Sequence, residues 1–148
     1  MNQKILNQTH RTREYYYCCK GINAGNGNTQ SSDFARSGRY SCKLTKESPF
    51  GITSIVSEVN ADEHFKISVW RYVNSNNNAG LAVAANDVNK LYVFKTESFI
   101  NENHWQKIEI DFKIPVAAHM QDLKIYCWNN DPGLPAYFDD LKIEKIIP

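Results

Sequence analysis

Apolar and polar residues alternate along most of this chain in short runs, bounded by Asn, Gly, Pro and Ser. A period of two is the mark of half-buried β-strands, because successive side chains leave a strand on opposite sides. The runs predict strands at Glu14–Cys19, Arg39–Leu44, Ile52–Val59, His64–Asn74, Gly80–Ala85, Lys90–Lys95, Trp105–Ile114, Leu123–Trp128 and Tyr137–Ile146. Turn-forming residues separate them, chiefly Gly21–Asn28, Asn74–Asn78, Asn86-Asp87 and Asn129–Pro135. No segment carries a convincing helical period. About nine strands without intervening helices predict an all-β, antiparallel sandwich or barrel. Neither a repeat nor a linker divides the chain, so residues 1–148 read as one domain.

Alternation also assigns faces. In Trp105–Ile114, Ile108, Ile110, Phe112 and Ile114 are expected inside, with Lys107, Glu109, Asp111 and Lys113 in water. In the last strand Tyr137, Asp139, Leu141 and Ile143 are expected on one side, opposite Phe138, Asp140, Lys142 and Glu144. Asp139 would then point inward, and a buried carboxylate must be paired, hydrogen-bonded or bound to metal. Backbone N–H groups, Arg36 or Arg39 could hold it. Alternatively, Asp139 with backbone carbonyls of the Arg36–Gly38 turn could ligate a hard cation within a shell of ~6–8 oxygens.

Three strands put rings where a sandwich usually shows polar residues. Trp70 and Tyr72 oppose the aliphatic face of Phe65, Ile67, Val69 and Val73. Tyr92 and Phe94 oppose Leu91 and Val93, and Tyr126 and Trp128 oppose Leu123, Ile125 and Cys127. Flat rings stack on the apolar C–H face of a pyranose at little entropic cost, and amide or cationic side chains bond its hydroxyls. Trp70, Tyr72, Tyr92, Tyr126 and Trp128, with Lys124, Arg71 and Asn129 nearby, have that composition. Trp70 and Trp128 are expected on the solvent side of one sheet, within reach of one sugar chain.

Composition narrows the alternatives. The 148 residues carry 17 Lys and Arg against 16 Asp and Glu, a net charge of +1, unlike a nucleic-acid binder or a polybasic membrane patch. No apolar run approaches the ~18–20 residues of a membrane-spanning helix. Met1–His10 has no apolar signal core. The chain is thus either cytoplasmic or a module of a longer secreted protein, and the second is favoured. Cys18, Cys19, Cys42 and Cys127 form no zinc-type spacing. Cys42 and Cys127 read as buried thiols, packed as small hydrophobes. His10, His64, His104 and His119 lie near no nucleophile motif, and Glu58, Asp62 and Glu63 read as solvated turn residues. A non-catalytic protein is expected. The Asn-rich stretches Gly21–Gln30 and Asn74–Asn78 read as turns, with a loop-edge sugar site as the alternative.

Three segments follow in order: Ser37–Leu44, then His104–Ile108 leading to Phe112–Pro115, then Ala136–Ile143 with its Tyr-Phe-Asp-Asp-Leu core. Together they resemble carbohydrate-binding modules of the galactose-binding-like jelly-roll superfamily, of the family four, nine and twenty-two kind. The resemblance implies a two-sheet jelly roll that binds poly- or oligosaccharide, appended to a secreted glycoside hydrolase or surface protein. It also implies a structural calcium, for which Asp139, Gly38 and Arg36 are the candidates here. The family's N-terminal Phe-Glu pair is missing, since that region reads Ile5-Leu6-Asn7-Gln8-Thr9-His10. The competing expectation is an adhesion or protein-interaction sandwich, whose aromatic face packs on a neighbouring domain of the same polypeptide.

Overall fold

The strand His64–Tyr72 (β6) shows how the pattern becomes structure. Phe65, Ile67 and Val69 are fully buried on its inner side, while Lys66, Trp70 and Tyr72 leave on the other. The computed structural model describes residues 2–8 and 12–18 by main chain alone, and 29–130 and 133–147 in full. Its strands are β1 (Asn2–Gln8), β2 (Thr12–Cys18), β3 (Gln30–Ser31), β4 (Ser41–Leu44), β5 (Phe50–Val56), β6, β7 (Ala79–Ala85), β8 (Tyr92–Lys95), β9 (Ile100–Glu102), β10 (Trp105–Lys113), β11 (Leu123–Asn129) and β12 (Ala136–Ile146). A 3-10 turn lies at Val116–Ala118.

All pairings are antiparallel. The larger sheet runs β1-β2-β12-β6-β10-β9, with β4 paired to the start of β12 and β3 to β4. The smaller sheet runs β5-β11-β7-β8. Between them lies one core, to which the larger sheet contributes Ile67, Val69, Ile108, Phe138 and Leu141, and the smaller Leu81, Val83, Leu123 and Ile125. This is a jelly-roll β-sandwich. Cys42 and Cys127 sit in that core as thiols rather than a disulfide.

All nine expected strands are present. Three more escape the pattern: β1 is largely polar, β3 has 2 residues, and β9 has 3. A two-residue turn joins β9 to β10 through Asn103 and His104, both at positive φ (51° and 72°), the backbone that matches strand twist in a tight hairpin. The stretch 21–28, read above as a turn, lies outside the described residues, as do the side chains of Tyr15, Tyr16 and Tyr17.

The expected face of β12 needs correction. Phe138, placed outside by simple alternation, is fully buried, and Tyr137 and Asp139 leave on the outer side. Pairing with β6 runs Phe138↔Arg71 and Asp139↔Trp70, then resumes at Lys142↔Ser68. One extra residue is therefore accommodated at Asp140, whose φ is 54°. Such a bulge reverses the inside–outside phase, so Leu141 and Ile143 still reach the core although Asp139 does not.

Candidate functional site

On β11 Leu123, Ile125 and Cys127 face the core and Lys124, Tyr126 and Trp128 face out. The neighbouring β7 buries Leu81, Val83 and Ala85 and turns the small residues Gly80, Ala82 and Ala84 outward. Register sets Trp128 beside Gly80, Tyr126 beside Ala82 and Lys124 beside Ala84. On the far side of β7, Phe94 lies beside Ala82 and Tyr92 beside Ala84. Two aromatic strands thus flank a strand with almost no side chains.

Strands two apart are separated by about 9–10 Å. The Phe94 and Trp128 centroids are nevertheless 5.2 Å apart, because the rings lean together over Gly80 and Ala82. Phe50 on β5 extends the layer, stacked on Trp128 at 5.7 Å and edge-on to Tyr126 at 5.9 Å. Tyr126 also bonds Tyr92, and burial together with that neighbour raises its pKa. Phe50 and Tyr92 are each 46% exposed, with Ile55 and Val88 also in water. Beside the rings runs a groove of about 440 Å³, floored by Ala84 and bordered by Phe50, Tyr126, Lys124, Asn86 and Thr53. Exposed ring faces beside polar donors can stack on one side of a flat ligand and bond its rim.

Of the residues expected to bind sugar, Tyr92, Lys124, Tyr126 and Trp128 come together here. Trp70 and Tyr72 do not. They belong to β6 in the larger sheet and leave on the opposite outside of the sandwich, so no sugar chain can span Trp70 and Trp128. There they cluster with Trp105 and Tyr137, and Trp70 is 9% exposed. The segment before β4 covers them: Phe34 stacks on Tyr72 at 4.1 Å, and the Arg36 guanidinium lies 3.8 Å over Trp70.

Asn129 and Arg71 are also internal. The Asn129 amide donates to the Leu44 and Leu134 carbonyls and accepts from Asn76. Arg71 donates to the carbonyls of Ala79 (2.7 Å) and Thr96 (2.9 Å) and to Gln106. Phe50 and Phe94 are the rings sequence reasoning left out of the site. Phe94 carried a signal, since it shares a face with Tyr92. Phe50 is preceded by Pro49 and lay outside the expected strand.

Asp139 is buried, as expected, but by a different route. The N–H groups of Arg36 (2.8 Å) and Ser37 (3.2 Å) donate to one carboxylate oxygen, and that of Asp140 (2.8 Å) to the other. The Arg36 guanidinium donates to Asp140 at 2.8 Å. The turn therefore meets Asp139 with the N–H donors of Arg36 and Ser37, with a fixed positive charge alongside. This set does not fit a hard cation, which needs converging oxygens. Among the described residues no three His, Cys, Asp or Glu side chains gather as a metal site.

Burial, and then the Asp140 charge, raise the Asp139 carboxyl from 3.8 to about 6 despite its three donors. Between those values the folded state holds a proton that the unfolded state releases. The group's stabilising contribution is complete below about pH 4 and is lost as pH rises through 6. Carboxyl-carbon NMR should show Asp139 titrating near pH 6, and a midpoint near 3.8 would refute the assignment.

No protein-family model matches the chain, and no curated protein matches it. Solved structures do share its architecture. A cyclase from Fischerella sp. TAU superposes with a TM-score of 0.58 at 12% identity, over 94% of this chain and 77% of that one. The CBM22-2 xylan-binding domain of Xyn10C from Paenibacillus barcinonensis gives 0.54 at 17% identity, over 87% of this chain and 98% of that one. A family 16 carbohydrate-binding module gives 0.54 at 13% identity, over 84% and 99%. The chain shares the β-sandwich fold of these structures. A cyclase among them shows that the fold does not by itself decide the activity.

Proposed function

We propose that this chain is a non-catalytic carbohydrate-binding module that takes a poly- or oligosaccharide on the outer face of the smaller sheet. The observation that carries the proposal is the ring layer of Phe50, Trp128, Phe94, Tyr126 and Tyr92 beside an open groove. A monomer seldom exposes so aromatic a patch without a partner. Similar structures that are xylan-binding modules make xylan the first ligand to try. The reading extends to a module of a larger secreted glycoside hydrolase or surface protein.

The test is titration with soluble polysaccharides, followed by intrinsic Trp fluorescence and affinity electrophoresis. Trp128→Ala should weaken binding by about 10- to 100-fold, the loss of one stacked ring. Because Trp128 also supports Phe50 and Phe94, Tyr92→Ala is the companion variant: half exposed, it should lose binding with little change in Tm. A correctly folded protein that ignores a broad polysaccharide panel would refute the proposal. A neighbouring domain would then be the occupant of this face.

A further inference from the structure

Charge on the sugar face is distributed unevenly. Of the described residues lining the groove, Lys124 alone is charged, and it is exposed beside Tyr126 and Phe50. No described carboxylate pairs with it, whereas Lys43 is held by Asp33 and Lys145 by Glu63. Two acids at the adjoining loops accept backbone N–H groups. Asp87 accepts the N–H of Asn89, and Asp122 accepts that of Glu58. The strands of this face otherwise present Phe50, Thr53, Ile55, Gly80, Ala82, Ala84, Tyr92, Phe94, Tyr126 and Trp128, none of which is charged at neutral pH. A neutral glycan would need hydroxyl partners there, but it would give a solitary ammonium nothing of opposite sign.

We infer that the groove discriminates in favour of acidic glycans, with Lys124 pairing the carboxylate of a uronic-acid unit while the rings stack on its neighbours. The inference rests on the sugar-binding reading of this face and specifies its ligand. Complementary charge adds specificity more than affinity, and an exposed ion pair is worth only a small factor. The expected preference for a uronate-bearing chain over its neutral counterpart is therefore about three- to five-fold at low salt. It should shrink as salt shortens the screening length from about 10 Å at 0.1 M to about 3 Å at 1 M.

The experiment is an array of neutral polysaccharides and oligosaccharides printed beside uronate-bearing counterparts, xylohexaose and glucuronic-acid-substituted xylo-oligosaccharide among them. It is probed with the full chain, Lys124→Gln and Tyr92→Ala. Salt-sensitive preference for the acidic member of a pair, lost in Lys124→Gln while neutral binding persists, is the result expected. Equal binding of both members, or a loss in Lys124→Gln that is the same for both, overturns the acidic preference and leaves the sugar face intact. Binding of no glycan, or binding indifferent to Tyr92→Ala, overturns both.

Discussion

Replacing Arg71 with methionine should lower the unfolding free energy by about 3–5 kcal/mol, a large effect for a single side chain. Arg71 is 3% exposed and leaves β6 on its inner side, beyond Val69. Its fork reaches the Ala79 carbonyl at the start of β7, the Thr96 carbonyl after β8, and Gln106 on β10, so one side chain ties the two sheets at one end of the core. Burial lowers its pKa, yet a guanidinium stays charged, and carbonyl dipoles with one amide oxygen solvate it. Methionine fills similar space but leaves those carbonyls without their donor, and each stranded buried acceptor costs about 1–3 kcal/mol. Urea unfolding should show a lower midpoint at unchanged m-value. Arg71→Lys should recover only part of the loss, because an ammonium cannot span three directions. A fall under about 1 kcal/mol in the methionine variant would mean that water takes over the carbonyls.

Gly80→Ala should damage stability and binding together. A Cβ at Gly80 would stand 2.1 Å from the Lys95 oxygen and 2.9 Å from its carbonyl carbon. Both are main-chain atoms, so β8 has to move, at a cost of about 2–3 kcal/mol. Phe94 and Tyr92 ride on β8, and the leaning contact of Phe94 with Trp128 depends on the bare backbone beneath. Affinity for polysaccharide should fall at least about ten-fold, the scale of one lost ring contact. Gly51→Ala is the matched comparison. Its Cβ would meet the Cys42 sulfur at 2.6 Å and a Leu44 methyl at 2.8 Å, on the core side of β5. It should lose stability while the folded protein binds normally. Equal affinity of Gly80→Ala and wild type would show that the ring layer does not depend on the close β7–β8 approach.

Local alternation was legible in the sequence because it depends only on the pleat, which every strand shares. It placed Lys124, Tyr126 and Trp128 outside and Ile125 and Cys127 inside, and it did the same for β10 and for β6. It failed at β12, where the bulge at Asp140 inserts one residue and reverses the phase between Phe138 and Leu141. A bulge is set by what a strand pairs with, and no residue pattern within the Tyr-Phe-Asp-Asp run announces it.

The binding face divides along the same line. That Tyr92, Lys124, Tyr126 and Trp128 would point away from the core followed from the sequence, as did the all-β sandwich. That Trp70 and Tyr72 would stand on the other side of the molecule did not, since alternation gives each strand an outside but not the sheet it joins. Pairing between β11 and β7, or between β6 and β10, links residues tens of positions apart, and only the folded chain decides it. Tertiary packing also made Arg71 and Asn129, which by type suit a sugar, into buried ties between strands. It drew Arg36 and Phe34 over Trp70 and Tyr72, so that one aromatic face is covered by its own chain and the other is left open.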